Sequence, residues 1–276
     1  MLKQRAITAI ILLALFLSAL FLLPTLGWQA LIIVIVMQAT VEWTHLAKLP
    51  GKAANIYWWL TLTVMVAIVW LSAGHTLAQQ ASWHVLIYAV SLMLWLIVVP
   101  FWLAMGWQVR SPWLMALTGW AVIIPTGLAM LDLRENSPWL LLGMMALVWV
   151  ADIAAYFSGR KYGKRKLAPS ISPGKTWEGV IGALAAVSVC IVLGFIFSGY
   201  AHFYRFLPTI VLAAFCWVAL AVIGDLFESA IKRQAGVKDS GALLPGHGGL
   251  LDRIDALTST LPLAALAELM QKLPPP

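Results

Sequence analysis

The chain has 276 residues, of which 62% are hydrophobic and only 11% charged, with a mean hydropathy of +0.90 and a formal net charge of +7. That composition excludes a water-soluble domain and implies one integral-membrane domain over 1–276 that uses lipid as its solvent. The basic residues sit in short loops between apolar runs, which argues against a nucleic-acid surface and for anionic lipid and nucleotide phosphates as partners. Cys190 and Cys216 lie in different apolar runs without the spacing of a zinc site or disulfide framework, and are read as packing residues.

Apolar runs of spanning length at 6–23, 28–47, 56–73, 83–105, 113–131, 139–157, 177–199 and 207–231, with a weaker one at 254–270, predict an all-α polytopic bundle of nine transmembrane helices. The first run follows Lys3 and Arg5 as a signal peptide would, but it is long enough to span and residues 21–24 offer no cleavage site. Trp28, Trp58, Trp83, Trp113, Trp139 and Trp177 stand at or within three residues of a run's start, as interfacial anchors do. With the N-terminus inside, all 18 basic residues except Arg134, Arg205 and Lys272 fall on the cytoplasmic side, which sets the orientation and puts residues 274–276 outside. The ninth run carries Asp255 and Glu268, so a tilted helix or one packed inside the bundle is expected there. Residues 1–137 read as a lipid-embedded scaffold, and 138–276 as the catalytic helices and cytoplasmic loops. Glu42, the one acid inside the first five runs, is read as structural, snorkelling or pairing with Lys48. His45, His75, His84 and His202 are read as satisfied interfacial residues.

Charge gathers in two places. Within 152–179, Asp152, Tyr156 and Gly159 share a face at the cytoplasmic end of helix six, and Arg160, Lys161, Lys164, Arg165 and Lys166 follow. Ser172, Lys175 and Thr176 precede helix seven, whose backbone N–H groups would favour an anion. Residues 174–176 read Gly-Lys-Thr, but Pro169 stands where a phosphate-binding P-loop needs glycine, so that loop is rejected. The basic loop residues serve either the site or orientation and anionic lipid, and Glu178 either the site or the start of helix seven.

The second place is 224–255, with Asp225, Glu228, Asp239, Asp252 and Asp255 beside Lys232, Arg233, Lys238 and Arg253. On a helix continuing through Lys232, Asp225, Glu228, Ser229 and Lys232 fall at i, i+3, i+4 and i+7 on one face. A glycine-rich loop follows, tightest at His247, Gly248 and Gly249, and Asp252 and Asp255 then open the last helix. Oxygen ligands from separate segments suit Mg²⁺, and the adjoining cations suit phosphate.

Taken together, Ser229, Lys232, Arg233, Lys238, Asp239, Gly241, Leu244, Pro245, His247, Gly248, Gly249, Asp252, Arg253, Ile254 and Asp255, at their spacing, resemble the signature of the phosphatidate cytidylyltransferases, or CDP-diacylglycerol synthases. The 152–179 segment is similar to a second stretch of that family. The resemblance implies a polytopic enzyme of the cell (inner) membrane, a homodimer, that joins CTP to phosphatidic acid with Mg²⁺ and releases pyrophosphate. The reading places Asp225, Lys232, Arg233, Lys238, Asp239, Asp252 and Arg253 in catalysis and Ser172, Lys175, Thr176, Glu228, Ser229, His247, Gly248 and Gly249 around the substrates. Asp225 and Asp252 are expected to hold one or two cations, supported by Asp255 and Asp152. A CDP-alcohol phosphotransferase would need a DG-x2-AR pattern that is absent. A transporter would place polar groups near the midplane in two related halves, whereas these acids gather at one face.

Overall fold

The computed structural model describes residues 2–73, 77–199, 203–243 and 248–272. Among these residues there are nine helices: α1 (Leu2–Leu22), α2 (Thr25–Leu46), α3 (Gly51–Ser72), α4 (Leu77–Met93, continued through a π-helical turn Leu94–Val98 into Val99–Met105), α5 (Pro112–Asn136), α6 (Pro138–Tyr162), α7 (Trp177–Phe197), α8 (Leu207–Ala235) and α9 (Leu251–Lys272). Each predicted run coincides with a helix, and α5, α6 and α8 run about a turn further into polar ends. Among the described residues seven helices are long and apolar enough to cross a membrane: α2, α3, α4 from Trp83, α5, α6, α7, and α8 with the short turn before it. The chain is thus a polytopic membrane bundle. In α1 the stretch Ile10–Leu22 is a shorter apolar helix.

The last helix departs from its neighbours for a physical reason. It carries Asp252, Arg253, Asp255, Glu268 and Lys272, and buries Ala256, Leu257, Thr258, Ser259, Thr260, Leu261 and Pro262 against α4, α5 and α8. A helix enclosed by other helices can hold polar groups that lipid would reject, provided they are bonded. Pro262 lacks the N–H that would bond the carbonyl of Thr258. The Thr126 hydroxyl of α5 stands 3.4 Å from that carbonyl and donates at 2.7 Å to the Val122 carbonyl of its own helix.

Tryptophan and tyrosine side chains tie the N-terminal helices to α5. Trp28 Nε1 donates to the Met130 carbonyl at 3.3 Å, Trp43 Nε1 to Met115 at 2.8 Å, and Tyr57 Oη to Ala116 at 2.9 Å. Gly119 lets α5 approach this closely, because a Cβ there would lie 2.5 Å from Trp43 Cδ1 and 2.7 Å from Tyr57 Oη. Gly119→Ala should therefore cost about 1–3 kcal/mol by overpacking, read as a lower thermal midpoint in detergent with no change of helix content. Phe227 of α8 is 1% exposed and packs against Trp43, Trp95 and Trp102, which fixes α8 to α2 and α4.

Two features were not expected from the sequence. Residues before α7 form a two-stranded antiparallel hairpin, β1 (Lys166–Ala168) with β2 (Ser172–Thr176), pairing Lys166 with Thr176 and Ala168 with Ser172. The other is a buried polar cluster far from the charged loops. His84 Nδ1 lies 2.7 Å from Asp132 Oδ2, and Tyr88 Oη donates to the same oxygen at 2.7 Å. His84 is fully buried inside the bundle and so is not the interfacial residue expected. His75, His202 and residues 274–276 lie outside the described residues.

Candidate active site

The site is built where α6, the β1–β2 hairpin, α7 and α8 meet around a cavity of about 540 Å³. Helix α7 approaches α6 closely because Gly179 and Gly182 face Ala155 and Ser158, where a Cβ would collide. These glycines of α7 are thus used in packing within the chain. Thr176 ends the hairpin and caps α7, its Oγ1 accepting from Gly179 N at 3.1 Å. Glu178 accepts from Lys164 N at 3.1 Å and Arg165 N at 3.2 Å, fastening the start of the hairpin to the same helix end.

The hairpin carries Lys175 across to α8. Its Nζ stands 2.6 Å from Asp225 Oδ2, while Ser229 Oγ donates to Asp225 Oδ1 at 3.3 Å. The two charged segments therefore meet, and their junction lines the cavity together with Asp152, Arg160, Lys166 and Ser172. Leu167, Val180, Ala221 and Val222 give the cavity an apolar side. Asp152 and Asp255 both lie within electrostatic reach of Asp225 and Lys175, and Arg253 within reach of Asp152. Carboxylates from α6, α8 and α9 thus share one electrostatic neighbourhood.

Beneath this lies a second, buried constellation. Lys232 Nζ donates to Glu228 Oε2 at 3.1 Å and to Asp252 Oδ1 at 2.5 Å, bearing out the shared face of α8. The other oxygen of Asp252, Oδ2, accepts from Gly249 N at 2.8 Å and Ser240 N at 2.9 Å. Burial opposes the ionised form of Asp252, but the Lys232 ammonium and the Gly249 and Ser240 N–H groups outweigh it and hold this carboxyl below its ordinary range. Gly248 has φ +82° and a Cβ there would lie 2.5 Å from Asp252 Oδ2, so glycine is required twice over. Arg233, Lys238, Asp239 and Arg253 are exposed around this core, with Arg233 Nη1 donating to the Val237 carbonyl at 3.3 Å. His247 lies outside the described residues.

As a cation site the residues fit in part. Among the described residues no three carboxylate, histidine or cysteine side chains stand close enough to hold an ion unaided. Yet Glu228 Oε1 is buried with no hydrogen-bond donor among the described residues, and Asp152, Asp225 and Asp255 share the neighbourhood of one ammonium, Lys175. Hard oxygens in this number suit Mg²⁺, which is ordinarily held by one or two carboxylates while water and substrate phosphates complete its shell. Both oxygens of Asp252 are already engaged by Lys232, Ser240 and Gly249, which sets it apart from Asp225.

Sequence reasoning missed Glu42 as part of this assembly. It does not pair with Lys48. Its Oε1 accepts from Leu250 N at 2.8 Å, and its Oε2 from Leu251 N at 2.9 Å and Ser240 Oγ at 2.8 Å. One signal was available: Lys48 stands six residues on, about 120° around a helix from Glu42, and so on the wrong face for a pair.

Comparison with known proteins identifies the family. A model of the "Cytidylyltransferase family" matches residues 3–270. A protein of Haemophilus influenzae named phosphatidate cytidylyltransferase is 38% identical over 281 residues, covering 95% of this chain and 96% of its own length. One of the same name from Pseudomonas aeruginosa is 39% identical over 268 residues, covering 96% of each chain, and one from Brucella suis is 33% identical over 270 residues. With the match running from the first helix to the last and including both charged segments, this chain belongs to the cytidylyltransferase family.

Proposed function

We propose that the chain transfers CMP from CTP to phosphatidic acid, giving CDP-diacylglycerol and pyrophosphate, with Mg²⁺ at a site facing the cytoplasm from the inner membrane. The observation that carries this reading is the Lys175–Asp225 contact at 2.6 Å, which joins the two charged segments at the wall of a cavity large enough for phosphates. The basic residues of the 160–175 and 232–253 loops support the orientation by the positive-inside rule. The homodimer implied by the resemblance belongs to the same proposal, and the exposed apolar face of α7 at Ile181, Val189 and Leu193 is free to meet lipid or a second copy.

The reaction needs an anionic oxygen of phosphatidic acid to attack the α-phosphorus of CTP while pyrophosphate leaves. A phosphate monoester loses its second proton near pH 6, so the nucleophile is largely ionised at neutral pH and no general base is required. Repulsion between the reactants is then the main obstacle, and fixed charge is the answer to it. Lys175, Arg160 and Lys166 line the cavity and would neutralise phosphate oxygens, with Lys175 exchanging Asp225 for a phosphate as substrate enters. That exchange frees Asp225 which, with Asp255 and Asp152, would hold Mg²⁺, and a second cation if one binds; Asp252 joins the set if Lys232 releases it. Bound there, Mg²⁺ would supply charge neutralisation at the phosphates. Leu167, Val180 and Val222 offer the glycerol end of the lipid an apolar wall.

Purified protein in micelles with Mg²⁺, phosphatidic acid and each of the four ribonucleoside triphosphates tests the proposal. CTP is expected to give liponucleotide and pyrophosphate at least about tenfold faster than UTP, since buried groups paired to one base edge are left unpaired by another. Equal rates from the two would refute the base preference, and no product from any triphosphate would refute the transferase.

A further inference from the structure

We propose that Glu42, on α2 in the N-terminal half of the chain, is a positioning residue for the reaction, acting through the loop between α8 and α9. Its side chain is 2% exposed and does not line the cavity. It accepts four hydrogen bonds: Gln38 Nε2 at 3.1 Å and Leu250 N at 2.8 Å on Oε1, with Ser240 Oγ at 2.8 Å and Leu251 N at 2.9 Å on Oε2. Three of these donors come from the two ends of one glycine-rich loop, about 200 residues away in the chain. Glu42 therefore closes the loop on itself and pins it to α2.

The pin leads directly into the charged core. Ser240 Oγ lies 2.8 Å from Glu42 and 3.1 Å from Asp252 Oδ2, so one hydroxyl stands between the two carboxylates. Asp252 in turn holds Lys232, and Lys232 holds Glu228. Two glycines of the loop are explained by the same contact. A Cβ on Gly241 would lie 3.0 Å from Glu42 Cδ, and one on Gly249 would collide with Glu42 Oε2 and Ser240 Oγ. Leu250 and Leu251 N–H groups open α9, where a carboxylate is also favoured by the helix dipole. The helix that carries Asp252 and Asp255 is thereby set in place by a residue of the first half of the chain. Fixing charged groups before substrate arrives is worth most in the transition state, so loss of the pin should lower kcat more than it raises KM.

The inference rests on the transferase reading, and its test separates the two. Wild type, Glu42→Gln, Glu42→Asp, Ser240→Ala and the Glu42→Gln/Ser240→Ala double variant are purified in micelles, and kcat and both KM values are measured per folded molecule. Glu42→Gln and Ser240→Ala should each lower kcat by at least about tenfold with KM changed less than about threefold, and Glu42→Asp should retain more of kcat than Glu42→Gln. Because both cut one tether, the double variant should fall no more than about threefold below the worse single. If Glu42→Gln fails to fold, Ser240→Ala carries the same comparison from the loop side. Folded variants with wild-type kcat, or a double variant whose loss is the product of the singles, would overturn the role of Glu42. An inactive wild type would overturn the transferase reading and, with it, any kinetic role for this residue.

Discussion

Asp225→Asn should lower turnover by about three orders of magnitude, comparable with removing a preorganised electrostatic group from an active site, while the protein stays folded and inserted. The amide would still accept from Ser229, whose hydroxyl lies 3.3 Å from Oδ1, so the local helix packing has little reason to change. What is lost is charge. Lys175, at 2.6 Å, would lose its anionic partner, and the cluster with Asp152 and Asp255 would lose the carboxylate that both of them face. On the proposed reading, in which Asp225 would hold Mg²⁺, raising Mg²⁺ should recover little, because the variant lacks a ligand. Arg110→Ala, an exposed charge outside the cavity, should leave kcat within about twofold, as a surface substitution does. Near wild-type turnover in Asp225→Asn at ordinary Mg²⁺ would remove this residue from the site.

The site was legible where physics made it conspicuous. In a chain that is 11% charged, Asp225, Lys232 and Asp252 stand out because burying ions is costly, and the i, i+3, i+4, i+7 spacing put Glu228 and Lys232 on one face before any coordinates. Lys175 and Asp225 were both expected in the site, but the 2.6 Å contact between them depends on a hairpin that the sequence hides. Residues 172–176 read Ser-Pro-Gly-Lys-Thr, with no alternation and two turn formers, and their pairing to 166–168 is set by tertiary context. Glu42 was visible as an isolated acid in an apolar helix, yet its partners at 240, 250 and 251 are too distant in sequence for any local pattern to reveal. Asp132 escaped notice because helix five was expected to end at 131, one residue before it. Its partner His84 then looked solitary.

Lys232→Met should have the largest effect on stability, because it removes the cation that bridges two buried acids. Lys232 is 9% exposed and Glu228 5%, and the Asp252 side chain is 6% exposed. Breaking a buried pair by deleting one partner costs about 3–5 kcal/mol, most of it from the charge left behind rather than from the lost attraction. Here the remaining acids would repel each other with only the Gly249 and Ser240 N–H groups and the Ser240 hydroxyl to hold Asp252. A fall of many degrees in the thermal midpoint and loss of turnover are expected together. Adding Glu228→Met to Lys232→Met removes the stranded acid, whose Oε1 has no hydrogen-bond partner among the described residues, and should recover part of the stability. Turnover should stay lost in that double variant, since Asp252 would have neither its ammonium nor its position. If the double variant were no more stable than Lys232→Met, the stranded charge would not be the cause, and the cost would lie in packing of the Lys232 stem instead.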